Sequence, residues 1–580
     1  MDRHVLRHFA ALVAAGMLTT APAVGLAKPK KPAGGSPTMT FTPEDTGQAP
    51  APAAEPEAAP SAETPKKKKK GDSPPAAVVA PVQQAVDDKA SAGPASKTLE
   101  RALKLYEQED YHSSTIELNK VVEGQSGDDE ANKQRAEFFR GKALFQLRYY
   151  SASLSYFDRI VQKGPAHRYY QKTLQWLASL SQYLPDSAGV LEKIGKYTRQ
   201  DLDSDALQPV RNQLFFLLGR YHYSKGNFKE AVDLFTSVPE ESEYYARAKF
   251  FEGVTYVRQY QAKPASEAFK SILRRAIERP DKAIREFEQL ANISLARTFY
   301  SLHQFPQAVK YFDKVSEESP DWLASLFESS WAHFQMDNDP KALGNIHTLN
   351  APFFENEFYP ESLILKAVIY FQRCNYDKSM AAIGEFNEVY PALKKDIDAV
   401  IAKFPDNAEF YNYVIKIRSG EAGLAERVQR AAEGALSDKT LAKTLDYVAE
   451  LDRELGSHEK SPPEWKSTAI AGVILQDLTL QKSLAANDAG NLARERLKRL
   501  STEIQELVKQ SIKIEYETLN AQKGQIQAVL KEEQRATGPG KKIGEVEVDD
   551  EHERWKFDGE YWKDELGYYR FRIQNKCPAR

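Results

Sequence analysis

Cysteine is nearly absent: Cys374 and Cys577 are the only two in 580 residues. That excludes a disulfide framework and a cysteine-based zinc cluster. Nor is there a surplus of basic residues. The 79 Lys and Arg face 82 Asp and Glu, for a formal net charge of -3, so nucleic-acid binding by counterion release has no global source. Five Met stand against 28 Tyr and 28 Phe, which makes the expected core one of aromatics and Leu. Beyond the first residues no apolar run approaches the roughly 20 residues that span a bilayer. The longest, Ile470 to Leu480, is short, carries Asp477 and reads as a buried core helix.

Catalytic patterns are missing as well. There is no His-Glu-x-x-His, Gly-x-Ser-x-Gly or Gly-x-Gly-x-x-Gly. Gly538-Pro539-Gly540-Lys541-Lys542 lacks the spaced first glycine and the Ser or Thr of a phosphate loop, and reads as a hinge. Asp337-Asn338-Asp339 opens like a calcium loop, but Pro340 and Lys341 stand where Gly and oxygen ligands belong, so it reads as a helix start. Asp549 to Glu553 is a solvated acidic run, and His112, His167, His222, His303, His333, His347 and His458 are scattered singly. The sequence predicts no enzyme, no catalytic residue, no cofactor and no metal site.

What is present begins with an address. Arg3 and Arg7 precede the apolar run Phe9 to Leu18, and Ala21, Ala23, Gly25 and Ala27 supply small residues for cleavage before Lys28. That is the layout of a secretory signal peptide over residues 1–27. Thr19, Thr20 and Pro22 argue against an uncleaved anchor, and no Cys is placed for lipid attachment. The expectation is export, most simply to a periplasm, with no transmembrane helix in the mature chain. Residues 28–97 hold 13 of the 31 prolines and one aromatic, Phe41. Such a composition buries too little apolar area to fold and reads as a disordered Pro/Ala/Lys-rich linker. Its run Lys66-Lys67-Lys68-Lys69-Lys70 offers contact with an anionic surface or cell-wall polymer, or keeps the linker solvated.

From residue 98 apolar residues recur at helical spacing, and an internal repeat emerges. Small residues stand at Ala102, Gly141, Ala178, Gly219, Gly253, Ala296, Ser330 and Ala367. Twelve positions later come Ser114, Ser153, Val190, Ala231, Ala265, Ala308, Ala342 and Ser379. Four further on are Leu118, Phe157, Ile194, Phe235, Phe269, Phe312, Ile346 and Ile383. This pattern resembles the tetratricopeptide repeat, most clearly from Leu217 to Phe235 and from Leu295 to Phe312. The resemblance implies an all-α solenoid of about eight helix pairs over residues 98–393. Small residues would sit where helices cross, and Pro165, Pro320 and Pro391 would end second helices. The small-residue spacing varies from 34 to 43, so longer inter-helix turns are expected, with the third and seventh repeats degenerate.

Residues 394–535 stay helical without the repeat. Helices are expected at Leu441 to Leu455 and from Glu464 to Arg535, the latter broken near Asn487 to Asn491. Leu497, Leu500, Ile504 and Leu507 form a short coiled-coil-like seam, whose register drifts through Ile512, Leu519, Ile526 and Leu530 as on a helix lying on a partner surface. Residues 536–580 are a hinge and an acidic, aromatic tail: Trp555, Phe557, Tyr561, Trp562, Tyr568, Tyr569 and Phe571 are candidate docking residues, in cis or in trans. Export permits a disulfide between Cys374 and Cys577. With the repeat resemblance, these features imply a non-catalytic scaffold of a bacterial envelope complex, for secretion, motility, or outer-membrane or wall assembly, with envelope proteins or peptides as partners. The layout also resembles, loosely, tetratricopeptide proteins of gliding-motility complexes. A polysaccharide- or peptidoglycan-associated protein and a regulator of a partner enzyme are the alternatives.

Overall fold

A computed structural model describes residues 93–280, 282–354, 357–533 and 559–577. Among them the secondary structure is helical throughout, with no strand. The chain forms two compact units. One takes the described residues up to Ala291 together with Lys439–Leu492; the other takes Asn292–Asp438 and the residues from Ala493 onwards.

Eight helix pairs follow one another: α1 (Lys97–Glu107) and α2 (Tyr111–Val122), α3 (Glu130–Gln146) and α4 (Tyr150–Lys163), α5 (Tyr170–Leu180) and α6 (Val190–Ile194), and α7 (Arg211–Ser224) and α8 (Phe228–Thr236). The series continues with α9 (Tyr245–Arg258) and α10 (Ala262–Glu278), α11 (Lys282–Ser301) and α12 (Phe305–Phe312), α13 (Trp322–Gln335) and α14 (Asp339–Leu349), and α15 (Pro360–Gln372) and α16 (Tyr376–Ala402). In every pair except α5/α6 the two helices are joined by three residues, and the middle one is left-handed: Glu109, Arg148, Gly226, Tyr260, His303, Asp337 and Cys374. The next N–H then donates to the carbonyl five residues back, as from Asp110 to Leu105 and from Asn375 to Tyr370. This closure satisfies carbonyls that the helix end would leave bare. A constant turn is why the two small positions stay twelve residues apart.

The variable repeat length therefore lies elsewhere than expected. Turns within pairs do not lengthen. The extra residues enter the loops between pairs, such as 350–359, and the long helices α10 and α11. The third pair is irregular, with α6 only five residues long and flanked by 3-10 turns; the seventh, α13/α14, is a regular hairpin.

Where the chain crosses itself there is no room for side chains. A Cβ on Gly141, Gly219 or Gly253 would come within 2.7, 2.6 or 2.5 Å of the ring of Phe157, Phe235 or Phe269, each sixteen residues on. Ala102, Ala178, Ala231, Ala265, Ala296, Ala308, Ser330, Ala342 and Ala367 are fully buried at the equivalent positions. In three pairs the second small residue is a serine, and its hydroxyl donates to the carbonyl of the first: Ser114 to Ala102, Ser153 to Gly141 and Ser379 to Ala367, at 2.8–2.9 Å.

After α17 (Asn407–Arg418) and α18 (Glu426–Leu436) of the second unit, α19 (Lys439–Lys460) returns to the repeats of the first. Tyr149 supplies no side-chain cap to α4, and the Glu454 carboxylate takes that place, accepting from the N–H of Ser151 at 2.6 Å and of Ala152 at 3.4 Å. Asp186 accepts from Lys443 at 2.7 Å and pairs with Arg220 at 2.5 Å. After the short α20 (Pro463–Lys466), which buries Trp465 beside His112, comes α21 (Ala469–Glu533), 65 residues long.

Four sequence expectations change here. Helix α21 runs unbroken through Asn487 to Asn491, because Ala485, Ala486 and Ala489 are buried and packing outweighs the roughly 1 kcal/mol cost of Gly490. Ile470 to Leu480 is amphipathic, not wholly buried: Ile470, Ile474 and Leu478 face inwards, while Val473, Leu475 and Leu480 are exposed. Pro391 does not end its helix; α16 continues past it and past residue 393 because Leu393, Ile397 and Val400 beyond it are buried. Arg494 donates to the Ile401 and Phe404 carbonyls, which terminates α16 there. The seam Leu497, Leu500, Ile504 and Leu507 is buried within its own chain. Leu507 packs with Leu363, Ala367, Ala382 and Phe386 of α15/α16, so the leucines lie on a helix pair and not in a coiled coil.

Candidate interaction surface

In the second unit the tail segment Gly559–Cys577 lies along α14 and reaches the turn between α15 and α16. Its path is set by main-chain contacts. Lys341 Nζ donates to the Gly567 carbonyl at 2.5 Å, and the Gly567 N–H donates to Thr348 Oγ1 at 2.9 Å. The Phe571 N–H donates to the Pro340 carbonyl at 2.8 Å, and the Lys576 N–H to the Arg373 carbonyl at 2.9 Å. Asn375 Nδ2 donates to the Gln574 carbonyl at 2.7 Å. Gly344 lets this happen: a Cβ there would stand 1.7 Å from the Tyr569 carbonyl oxygen. A disulfide joins Cys374, the left-handed residue of the last hairpin turn, to Cys577.

Aromatic packing centres on His347. Its ring stacks on Tyr561 at 4.5 Å and meets Tyr569 and Phe571 at 4.9 and 5.0 Å. Burial, with help from Lys366, draws the His347 pKa down to about 4, so the tail packs on a neutral imidazole. His333 is lowered similarly, to about 4, by burial and then by Lys341 and Arg570. Leu566 is buried, whereas Trp562 and Tyr568 are exposed, although the Tyr569 hydroxyl accepts from the Trp562 N–H at 2.9 Å. Trp555 and Phe557 lie outside the described residues, as do the signal segment, residues 28–92 of the expected linker with Lys66 to Lys70, the hinge and Asp549 to Glu553. The linker ends earlier than expected: Ser96 caps α1, and the Gly93 N–H donates to Asp129, so residues 93–97 belong to the fold.

Sequence reading named the tail rings but not what receives them. Lys341, Gly344, His347, Thr348 and Asn375 were missed because a receptor for main chain carries no motif. Gly344 was the available signal: glycine inside a helix is unfavourable by about 1 kcal/mol relative to alanine and needs a reason. A second omission is Glu361 at the start of α15. It is buried, burial and then Glu503 push its pKa up to about 8, and its Oε1 has no hydrogen-bond partner among the described residues. No group of three or more potential metal-ligating His, Cys, Asp or Glu occurs among the described residues, and no helix there is long and apolar enough to cross a membrane.

The fixed hairpin turn, the small residues twelve apart and the ring four beyond together define the architecture. The described chain is a tetratricopeptide-like helical repeat. No family model and no curated protein matches the sequence. Among solved structures, a tetratricopeptide repeat protein from Parabacteroides merdae is 14% identical, with 50% of this chain and 91% of that one covered at a TM-score of 0.25. The apo form of RapI is also 14% identical, covering 59% of this chain and 98% of that one at a TM-score of 0.29. At such scores the architecture rests on the hairpin geometry and not on these likenesses.

Proposed function

We propose that this chain is an exported, non-catalytic scaffold of a bacterial envelope assembly, whose helix hairpins hold extended segments of partner proteins. The observation that carries the reading is the seating of the tail. Hairpins α13/α14 and α15/α16 hold a chain segment largely by its main chain, with aromatic side chains adding contact area. Main-chain capture tolerates changes of sequence, as in other modes of extended-peptide recognition. Export draws support from the leader-like Arg3, Arg7 and apolar run, and from the joined cysteines, since disulfides persist in oxidising compartments. Crosslinking with mass spectrometry in native cells tests the scaffold, and reproducible links from α14 and α15 to another envelope protein are expected. Links confined to this chain would overturn it. Osmotic-shock fractionation tests export separately: release of a form processed near Lys28 is expected, and retention of the unprocessed chain in the cytoplasm refutes it.

A further inference from the structure

Beyond Leu507, helix α21 changes which of its faces is apolar. Leu497, Leu500, Ile504 and Leu507 point inwards and are buried. The inward residues that follow are Ser511 and Thr518, fully buried, with Ser511 donating to Asn387 at 2.9 Å and the Thr518 hydroxyl 3.4 Å from that of Ser379. The apolar residues have moved about a quarter turn round the helix, at about 100° per residue. Ile512, Tyr516, Leu519 and Ile526 now face outwards, 59, 67, 49 and 54% exposed. A surface helix ordinarily keeps its apolar stripe on the core and its polar residues in water; these turns do the reverse. With Lys523 among them and Leu530 beyond them in the sequence, the residues of the stripe are spaced alternately by four and three, as on a helix that packs along another helix.

We infer that this stripe is a self-association surface, on which α21 of a second copy of this chain lies antiparallel. The spacing is the first reason. An alternation of four and three reads the same in reverse, so one stripe can serve both sides of a two-fold interface, with Leu519 meeting the second copy's Lys523 and Tyr516 its Ile526. Charge favours the same order. Glu515 stands four residues before Leu519 and Lys523 four after it, so reversal brings the acid of one copy towards the lysine of the other. A parallel pair in register would instead set Lys523 against Lys523. The stem of Lys523 can cover Leu519 of the other copy while its ammonium stays in water. Area is sufficient as well. The four exposed side chains offer roughly 500 Å² per copy, or about 1,000 Å² between two, the lower end of specific interfaces and suited to a reversible dimer. This face shares no residue with the surface on α14, so either can fail alone.

Sedimentation velocity of the full chain in its oxidised form reads the association. A reversible dimer with micromolar dissociation is expected. Leu519→Glu and Ile526→Glu should each weaken it by about tenfold or more, with an unchanged melting temperature, because both residues are exposed in the single chain. Glu515→Lys and Lys523→Glu should each weaken the homodimer, and mixing the two variants should restore association as a heterodimer. Orientation is read by carbodiimide crosslinking of mixed isotopically light and heavy chains, where light-to-heavy links between Glu515 and Lys523 are expected. Their absence from a sample shown to be dimeric overturns the antiparallel order. A chain that stays monomeric, or a dimer indifferent to both glutamate substitutions, overturns the self-association. If the chain is monomeric and Leu519→Glu lowers its melting temperature, the stripe is covered by residues 534–558 of the same chain; an unchanged melting temperature leaves it to a different protein.

Discussion

Removing one cysteine separates what the disulfide contributes from what the tail's own contacts contribute. Cys374 and Cys577 are 203 residues apart, and a crosslink closing a loop of that length restricts the unfolded chain by about 5 kcal/mol in the chain-entropy treatment. Cys577→Ser should therefore destabilise the second unit by a few kcal/mol, since engineered and native bridges commonly deliver less than the entropy alone. Cys374→Ser and the double variant should match it, because all three remove one crosslink, and additivity of the two single effects would contradict that. Cys374→Gly should be less harmful than Cys374→Ser by about 1 kcal/mol, because residue 374 is left-handed, with φ of 56°, and glycine relieves the strain. Urea denaturation measures the stability, and hydrogen exchange over residues 559–577 reports whether the tail stays seated. Loss of the bridge should speed exchange at Gly567, Phe571 and Lys576, whose N–H groups donate to Thr348, Pro340 and Arg373. An unchanged urea midpoint together with unchanged exchange in Cys577→Ser would refute the reasoning, because the tail would then be held without the crosslink.

Gly219→Leu should lower the melting temperature, since even its Cβ would meet Phe235 at 2.6 Å, and overpacking costs about 1–3 kcal/mol; an unchanged melting temperature would contradict the crossing. Glu361 has a folded pKa of about 8, above its unfolded value, so the folded state binds the extra proton and stability falls as pH rises from about 4.5 to 8. Glu361→Gln should therefore raise the melting temperature at pH 8.5 and change it little at pH 4.5, and a gain that does not vary with pH would count against the assigned shift. For His347 the sign is opposite in pH. Its folded pKa is lowered to about 4, so tail seating is complete above the unfolded value near 6.5 and weakens as pH falls from there towards 4. In Cys577→Ser, hydrogen exchange at the tail should be faster at pH 5 than at pH 7 once corrected for intrinsic rates, and His347→Phe should shrink that difference, with His333, also lowered to about 4 beside Arg570, supplying what remains.

The legible part of this protein was the part governed by close approach. Gly141, Gly219 and Gly253 could be read because a helix crossing admits no Cβ, and such a demand leaves its mark at a fixed distance from the ring that fills the gap. The turn was not legible, because the residues at its left-handed position, Glu109, Arg148, Tyr260, His303, Asp337 and Cys374, are not the glycine that the conformation favours. Each instead accepts a cost of about 1–2 kcal/mol, and the hairpin packing on both sides holds it there. The same override explains α16 and α21, where Pro391 and Asn487 to Asn491 read as ends but buried residues beyond them carry the helix through. Tail and receptor illustrate the complementary limit. A segment rich in Tyr and Trp announces that it needs a surface, whereas Lys341, Gly344, Thr348 and Asn375 contact chiefly its main chain, an interaction that requires no particular partner sequence and leaves no pattern along the chain. Local propensity here locates the elements, and side-chain burial decides where they stop.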